Sequence, residues 1–313
     1  MKKVVIFGGG TGISWVLSGL KLFPIDVTAV IAVSDDGSST GVLREELEIP
    51  AVGDLGKVLL SMAEVDEDFV RLLRYRFSQD GTLHNHPVRN ILLAALIDLK
   101  GDLTGACQYM SRMLNVSGTV LPLTVDSVDL IGHGRDRDYK GECEVSENIK
   151  NIEYISYDHP ITVEPEIIRR IQEADLIIFS PGSLYTSIIP HLIAPAIREA
   201  LEATKSPIMY ISNLVTQPGE TDGYTVADHV RVLNRYMDDR HVDVVIANTG
   251  TADLAVTDVY RDKEQKYMVE LDSAAVEQLG AEIISDDIIQ IEDGSIRHDV
   301  LKTAYLVFSY LMR

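Results

Sequence analysis

The first twenty residues set the frame for the rest of the chain. Val4-Val5-Ile6-Phe7 is a short apolar run, Gly8-Gly9-Gly10-Thr11-Gly12 follows at once, and Ile13, Trp15, Val16, Leu17 and Leu20 then recur at helical spacing. A strand, a tight glycine turn and a helix in that order are how an open α/β sheet begins. Glycine lets a ligand approach the backbone closely, and the unpaired N–H groups at a helix start favour an anion. Gly9, Gly10, Thr11 and Gly12 are therefore candidate ligand contacts, set against the plainer reading of an architectural turn. The spacing is not the dinucleotide fingerprint G-x-G-x-x-G, because Ile13 stands where the third glycine would be.

Charge excludes several partners. Asp plus Glu outnumber Lys plus Arg by 48 to 28, a formal charge of −20. Nucleic acid is disfavoured, since phosphate-backbone binding needs clustered basic residues, and so is an anionic membrane surface. A local basic pocket for a small anion stays open. The two cysteines, Cys107 and Cys143, support no disulfide framework, which gives a cytoplasmic expectation. Ile91 to Leu99 is the longest clear apolar run, too short to span a bilayer, and Met1-Lys2-Lys3 runs directly into the first strand, leaving no expected signal peptide.

A second apolar run, Val27 to Val33, ends in Ser34-Asp35-Asp36-Gly37-Ser38-Ser39-Thr40-Gly41. Carboxylates just past the carboxyl end of a strand can engage a ribose or help hold a hard cation, so Asp35 and Asp36 are candidates for ligand and for Mg²⁺. The alternative is an Asp-Gly turn with a cap. Residues 49–113 read as mostly helical. Asn85, His86, Arg89 and Asn90 fall at or near a helix start, with Pro87 suited to the first turn and Asn90 as a candidate contact. His84 and His86 lack partners at a zinc spacing.

Between 125 and 157 the pattern changes to short alternating pieces, including Ser127–Ile131, Glu142–Val145 and Asn151–Tyr157, which predict hairpins or a small added sheet. This stretch is a candidate cleft cover or homo-oligomer contact. Leu176 to Phe179 then reads as a buried strand ending in Ser180-Pro181-Gly182-Ser183-Leu184-Tyr185-Thr186-Ser187. Gly182, Ser183 and Thr186 offer an open N–H and hydroxyls to a phosphate or carboxylate; ordinary capping is the alternative. Asn213 and Asn248 each close an apolar strand, and the polar loop from Leu214 to Tyr224, with Thr216, is too rich in hydrogen-bonding groups for a minimal connector. The series predicts a doubly wound, mainly parallel α/β sheet with helices on both faces. Residues 1–313 form one domain, with a β-rich insertion at 125–157.

Taken together, these loops resemble the YvcK/CofD-like family. The likeness is carried by Gly8–Gly12, Asp35–Gly41, Gly53-Asp54, Asn90 with its apolar helix, Gly118–Thr124, Ala174–Ser187, Asn213–His229 and Arg297-His298-Asp299, and runs through nearly the whole chain. It is similar to the YvcK branch more than to the transferase branch. The resemblance implies a Rossmann-like core. For the YvcK branch it implies binding of UDP-sugars such as UDP-N-acetylglucosamine, and an influence on central carbon use, cell-wall precursor supply and cell shape. For the transferase branch it implies Mg²⁺-dependent transfer of 2-phospho-L-lactate to a deazaflavin. Whether this chain catalyses a reaction stays open. Several positions depart from the family pattern. Ser38-Ser39 follow Gly37 where glycine is more usual, Ala51-Val52 precede Gly53 where prolines are common, and Gly56-Lys57 stand where Arg-Asn is expected. His84–Asn90 departs from Gly-His-x-x-Gly-Asn and removes a glycine from a helix start.

Three functions compete. The first is a regulatory protein that binds a nucleotide or nucleotide sugar. The second is a Mg²⁺-dependent phosphoryl-group transferase with the metal on Asp35 and Asp36 and with Arg44 or Arg89 offsetting phosphate charge. The third is an acidic platform for protein interaction.

Overall fold

In the computed structural model, residues 1–78 and 80–313 are described. The strands are β1 Lys2–Gly8, β2 Ile25–Ile31, β3 Thr119–Pro122, β4 Leu130–Gly134, β5 Asp138–Lys140, β6 Ile152–Tyr157, β7 Leu176–Phe179, β8 Ile208–Ile211, β9 Val244–Asn248, β10 Glu282–Asp286, β11 Ile289–Glu292 and β12 Ser295–His298. The helices are α1 Gly10–Leu20, α2 Ser38–Leu47, α3 Gly53–Ser61, α4 Glu67–Arg74, α5 Val88–Lys100, α6 Leu103–Met113, α7 Glu142–Asn148, α8 Pro165–Glu173, α9 Ile189–Leu192, α10 Pro195–Ala203, α11 Val226–Tyr236, α12 Leu254–Glu264, α13 Ser273–Gln278 and α14 Val300–Leu311.

Seven strands form one parallel sheet in the order β10-β9-β8-β7-β1-β2-β3. The chain builds outward from β1 through β2 to β3, returns past β1 to β7, and then builds the other way. The strand order reverses between β1 and β7, and ligands in such sheets bind at the carboxyl ends flanking that reversal. The central strands are apolar without alternation because both faces are covered. Val4 and Ile6 pack into the layer formed by α1, α3, α5, α6 and α14, whereas Val5 and Phe7 pack into the layer of α8 to α11. The doubly wound α/β expectation holds.

Two local readings are corrected. Glu142–Val145 alternates in sequence but lies in helix α7, inside a layer whose β4, β5 and β6 do form a small antiparallel sheet in the order β5-β4-β6. Trp15 is not a core residue: Ile13, Val16, Leu17 and Leu20 are buried, and Trp15 is half-buried on another face of α1. Among the described residues, no helix is long and apolar enough to cross a membrane.

Candidate functional site

The glycine turn sits at the strand-order reversal and is pressed between two loops. A Cβ on Gly12 would lie 2.0 Å from the carbonyl oxygen of Pro181, beyond the end of β7, so only glycine lets α1 start against that loop. Gly10 adopts φ +64, the left-handed region that suits glycine. No side chain caps α1. Its first N–H groups, on Gly10, Thr11 and Gly12, therefore keep the positive end of the helix dipole available.

Four carboxylates gather beside this turn. A Cβ on Gly9 would lie 2.9 Å from Asp54 Oδ2, and one on Gly53 3.0 Å from Asp35 Oδ2. Asp54 Oδ1 accepts from Lys57 Nζ at 2.8 Å. Burial and then the Asp54 charge hold the Asp35 carboxyl above the usual carboxylate range. Burial, followed by the Asp35 and Asp54 charges, pushes Glu142 up to about 8. Asp36 has another task. Its Oδ1 accepts from the Cys143 N–H at 3.0 Å and so holds the start of α7, while a Cβ on Gly141 would lie 2.1 Å from its Oδ2. This cap explains why 142–145 is helical: the capping carboxylate lies 107 positions away from Cys143 and leaves no trace in the local pattern.

Among the described residues, no group of three or more His, Cys, Asp or Glu side chains is placed to hold a metal ion. Mg²⁺ commonly uses one or two carboxylates and takes its other ligands from phosphate and water. Asp35 and Asp54, beside the uncapped helix start, fit that partial set. Asp36 does not, because its carboxylate is engaged by α7.

The donor-rich turn after β7 is already filled from within. Ser183 donates to Glu220 Oε1, and the Tyr185 N–H donates to the same oxygen at 2.9 Å. Glu220 is 4% exposed, and burial raises its carboxyl to about 7. The Ser183 and Thr186 hydroxyls lie 2.6 Å apart. The acceptor at Ser183–Ser187 is thus a carboxyl group of the protein itself, and it engages the Ser183 hydroxyl that a phosphate would otherwise meet. Asn213 binds the Gly182 peptide from both sides, accepting from its N–H at 3.1 Å and donating to its carbonyl at 2.7 Å. It fixes the loop that Gly12 packs on. Thr216 is buried and its hydroxyl accepts from the Tyr267 N–H at 3.0 Å, which ties the 214–224 loop to the 267–268 segment.

The open space lies on the other side of the glycine turn. A groove of about 670 Å³ runs along α1 between α3, α4 and the start of α5. Thr11, Ser14, Trp15, Ser18 and Lys21 form its α1 wall at helical spacing, and Lys57, Arg74 and Arg89 face them. Next to Arg89 in sequence, Asn90 Nδ2 donates to Ser39 Oγ at 3.2 Å, and Ser39 Oγ lies 2.8 Å from His86 Nδ1. Asn90 is thus near the groove but anchors α5 to α2 rather than facing open space, and its Oδ1 is buried without a partner. Sequence reasoning missed Trp15, Lys57, Glu142 and Glu220 as site residues. Thr11, Ser14 and Ser18 mark a polar face of α1 in the sequence, but Trp15 reads with the apolar positions, and the role of Glu220 depends on a contact across 35 residues.

Residues 4–289 match the family described as 2-phospho-L-lactate transferase CofD. The chain belongs to that family. It is 40% identical over 311 residues to the gluconeogenesis factor of Bacillus subtilis (strain 168), covering 99% of this chain and 98% of that protein. It is 36% identical over 312 residues to the gluconeogenesis factor of Listeria monocytogenes, covering 99% and 95%. A crystal structure of a UPF0052 family member from Bacillus halodurans superposes with a TM-score of 0.93 at 36% identity, covering 97% of this chain and 99% of that one.

Within this family, two departures noted from sequence turn out to touch. The helix start that lacks the expected glycine carries Arg89, and its stem lies over Gly56, where a Cβ would meet Arg89 Cδ at 3.2 Å. Arg89 is 6% exposed.

Two buried histidines should each cost this member of the CofD family stability in acid, against the opposite slope of the raised Glu142 and Glu220 carboxyls. His191 Nε2 donates to the Gly8 carbonyl at 3.2 Å, and His298 Nε2 to the Ser212 carbonyl at 2.9 Å. Burial lowers each to about 4. An unfolded histidine titrates at about 6.5. The stability from keeping these rings neutral is therefore fully present above about pH 6.5 and is lost as pH falls towards 4. The expected loss is on the order of 3 kcal/mol per ring. Urea unfolding of the native protein and His298→Gln in parallel isolates one ring: the native protein should lose about 2–3 kcal/mol relative to the variant between pH 7 and 4.5. An unchanged difference would contradict the assignment.

Proposed function

We propose that this chain is a cytoplasmic regulatory protein that binds a nucleotide sugar and thereby tunes central carbon use and cell-wall precursor supply, with consequences for cell shape. The observation that carries this reading is the groove of about 670 Å³ that starts at an uncapped helix end and is walled by an indole and cationic side chains. Its volume is in the range of small-molecule sites. The N–H groups of Gly10, Thr11 and Gly12 and the Lys57 ammonium would take the diphosphate. Trp15 offers a flat apolar wall to a base or sugar. Relatives bearing the name gluconeogenesis factor across nearly the whole length support the regulatory branch.

Isothermal calorimetry with UDP-N-acetylglucosamine tests this directly. Lys57→Ala should weaken binding by about 10- to 100-fold, the loss of one charge-assisted hydrogen bond to phosphate. An unchanged affinity would remove Lys57 from the site.

A second reading, a Mg²⁺-dependent phosphoryl-group transferase, draws on Asp35 and Asp54 beside the same helix start. Bound there, Mg²⁺ would supply Lewis-acid neutralisation of phosphate charge. The two carboxylates would hold and orient it, and Lys57 would fix Asp54. Product formed from phosphodiester donors by the native protein, and absent in Asp54→Asn, would favour this reading. Binding without turnover over a broad donor panel favours the first.

A further inference from the structure

The groove holds more positive charge than a nucleotide diphosphate alone requires. In a chain of formal charge −20, almost every arginine would be expected to find a carboxylate. Arg89 and Arg74 have no ion-pair partner among the described residues, although most other arginines do, including Arg44, Arg169 and Arg170. Arg89 is the more telling of the two. It is 6% exposed, lines the groove, and its Nε has no hydrogen-bond partner. A buried Nε left without an acceptor is costly, and five fixed donors in one plane suit an anionic oxygen group. Its neighbours increase that cost. Burial and then the charges of Arg76 and Arg74 lower the Arg89 guanidinium to about 10. The carboxylate charge that acts on it, Asp54, is already held by Lys57 at 2.8 Å. Gly56 is what admits the arginine: any side chain there would meet the Arg89 stem or Leu93 at 3.2 Å.

We propose that Arg89, assisted by Arg74, forms an anion subsite at the α5 end of the groove, separate from the diphosphate position at the start of α1, so that the ligand of this chain is a nucleotide carrying a further anionic group. This inference rests on the nucleotide-sugar reading for the remainder of the ligand. The shared chemistry is an additional oxyanion, which an acidic sugar supplies as a carboxylate and a nucleoside triphosphate as a third phosphate. Glu67, also on the groove, lies on the first turn of α4, whereas Arg74 ends that helix. The positive charge is therefore gathered at the Arg74–Arg89 end.

The experiment uses Trp15 as a reporter, because it is the single tryptophan of the chain and lines the groove. Binding of UDP-glucose, UDP-glucuronic acid and UTP is followed by tryptophan fluorescence and calorimetry at low salt, in the native protein, in Arg89→Met, which keeps the apolar stem, and in the exposed-site variant Arg74→Gln. The native protein should prefer UDP-glucuronic acid or UTP over UDP-glucose by about 10-fold or more, the worth of one charge-assisted pair. Which of the two binds tighter identifies the source of the oxyanion. Arg89→Met should bring the preference below about 2-fold while still binding UDP-glucose, and Arg74→Gln should fall between. Equal affinities in the native protein, or a preference that survives Arg89→Met, would overturn the subsite and leave the nucleotide-sugar reading standing. If no nucleotide binds, inorganic pyrophosphate separates the two claims. A pyrophosphate-induced Trp15 change lost in Arg89→Met keeps the subsite and rejects the nucleotide, and no change rejects both.

Discussion

Gly12→Ala is expected to cost about 3 kcal/mol of folding stability, at the upper end for overpacking, and to remove ligand binding with it. The added methyl would sit 2.0 Å from the Pro181 carbonyl oxygen and 2.7 Å from its carbon. Both are backbone atoms, so no rotamer change relieves the contact. The Pro181–Gly182 loop cannot simply retreat either, because Asn213 clamps the Gly182 peptide through two hydrogen bonds. Either α1 shifts from its place or the loop breaks from Asn213, and both movements displace the N–H groups of Gly10 to Gly12. Gly101→Ala is the control. Unlike Gly12 it has a positive φ, +91, and nothing lies within 4 Å of its Cβ position. It should cost only the backbone strain of about 1–2 kcal/mol and leave binding intact. Equal costs in chemical denaturation would mean that the turn is not tightly packed.

Glu220→Ala should cost a comparable amount, about 2–4 kcal/mol, by stripping the turn after β7 of its internal acceptor. The Tyr185 N–H and the Ser183 hydroxyl would lose their shared oxygen in a site 4% exposed. Glu220→Gln separates charge from shape. The carboxyl is raised to about 7, well above an unfolded glutamate near 4.3. Between those values the folded state holds a proton that the unfolded state releases. This contribution is therefore fully present below about pH 4.3 and is lost as pH rises through 7. The native protein should lose stability relative to Glu220→Gln as pH climbs from 5 to 8, measured by urea unfolding at each pH. A constant difference between the two would show that the carboxyl is not held protonated.

The sheet was legible because its strands are buried on both faces. Leu176–Phe179 and Ile208–Ile211 are unbroken apolar runs bounded by turn residues, and both appear as strands of the parallel sheet. Helix α8 was legible from Pro165 and its apolar spacing, and begins at that proline. Helix α2 was not, since Asp-Gly-Ser-Ser-Thr-Gly reads as a loop. The glycine within it is required by contact, because a Cβ on Gly41 would lie 2.1 Å from the Asp36 carbonyl oxygen. Site residues divide in the same way. Gly9 to Gly12 and Asp35 could be picked out from their place at strand ends. The tasks of Asp36, Ser183 and Asn213 could not, because their partners Cys143, Glu220 and Gly182 are brought in by tertiary folding. At Ser183–Ser187 the donors read from the sequence are taken up by the Glu220 carboxyl, an acceptor from the same chain.

The central claim is that the groove between α1, α3 and α5 takes a nucleotide sugar with its phosphates at the start of α1. Calorimetry with UDP-N-acetylglucosamine, followed in parallel by Trp15 fluorescence, tests it most directly. The account predicts saturable one-site binding in the native protein, a shift in Trp15 emission over the same concentrations, and a loss of about 10-fold or more in Lys57→Ala. Absence of heat and of any Trp15 change up to millimolar ligand would contradict it.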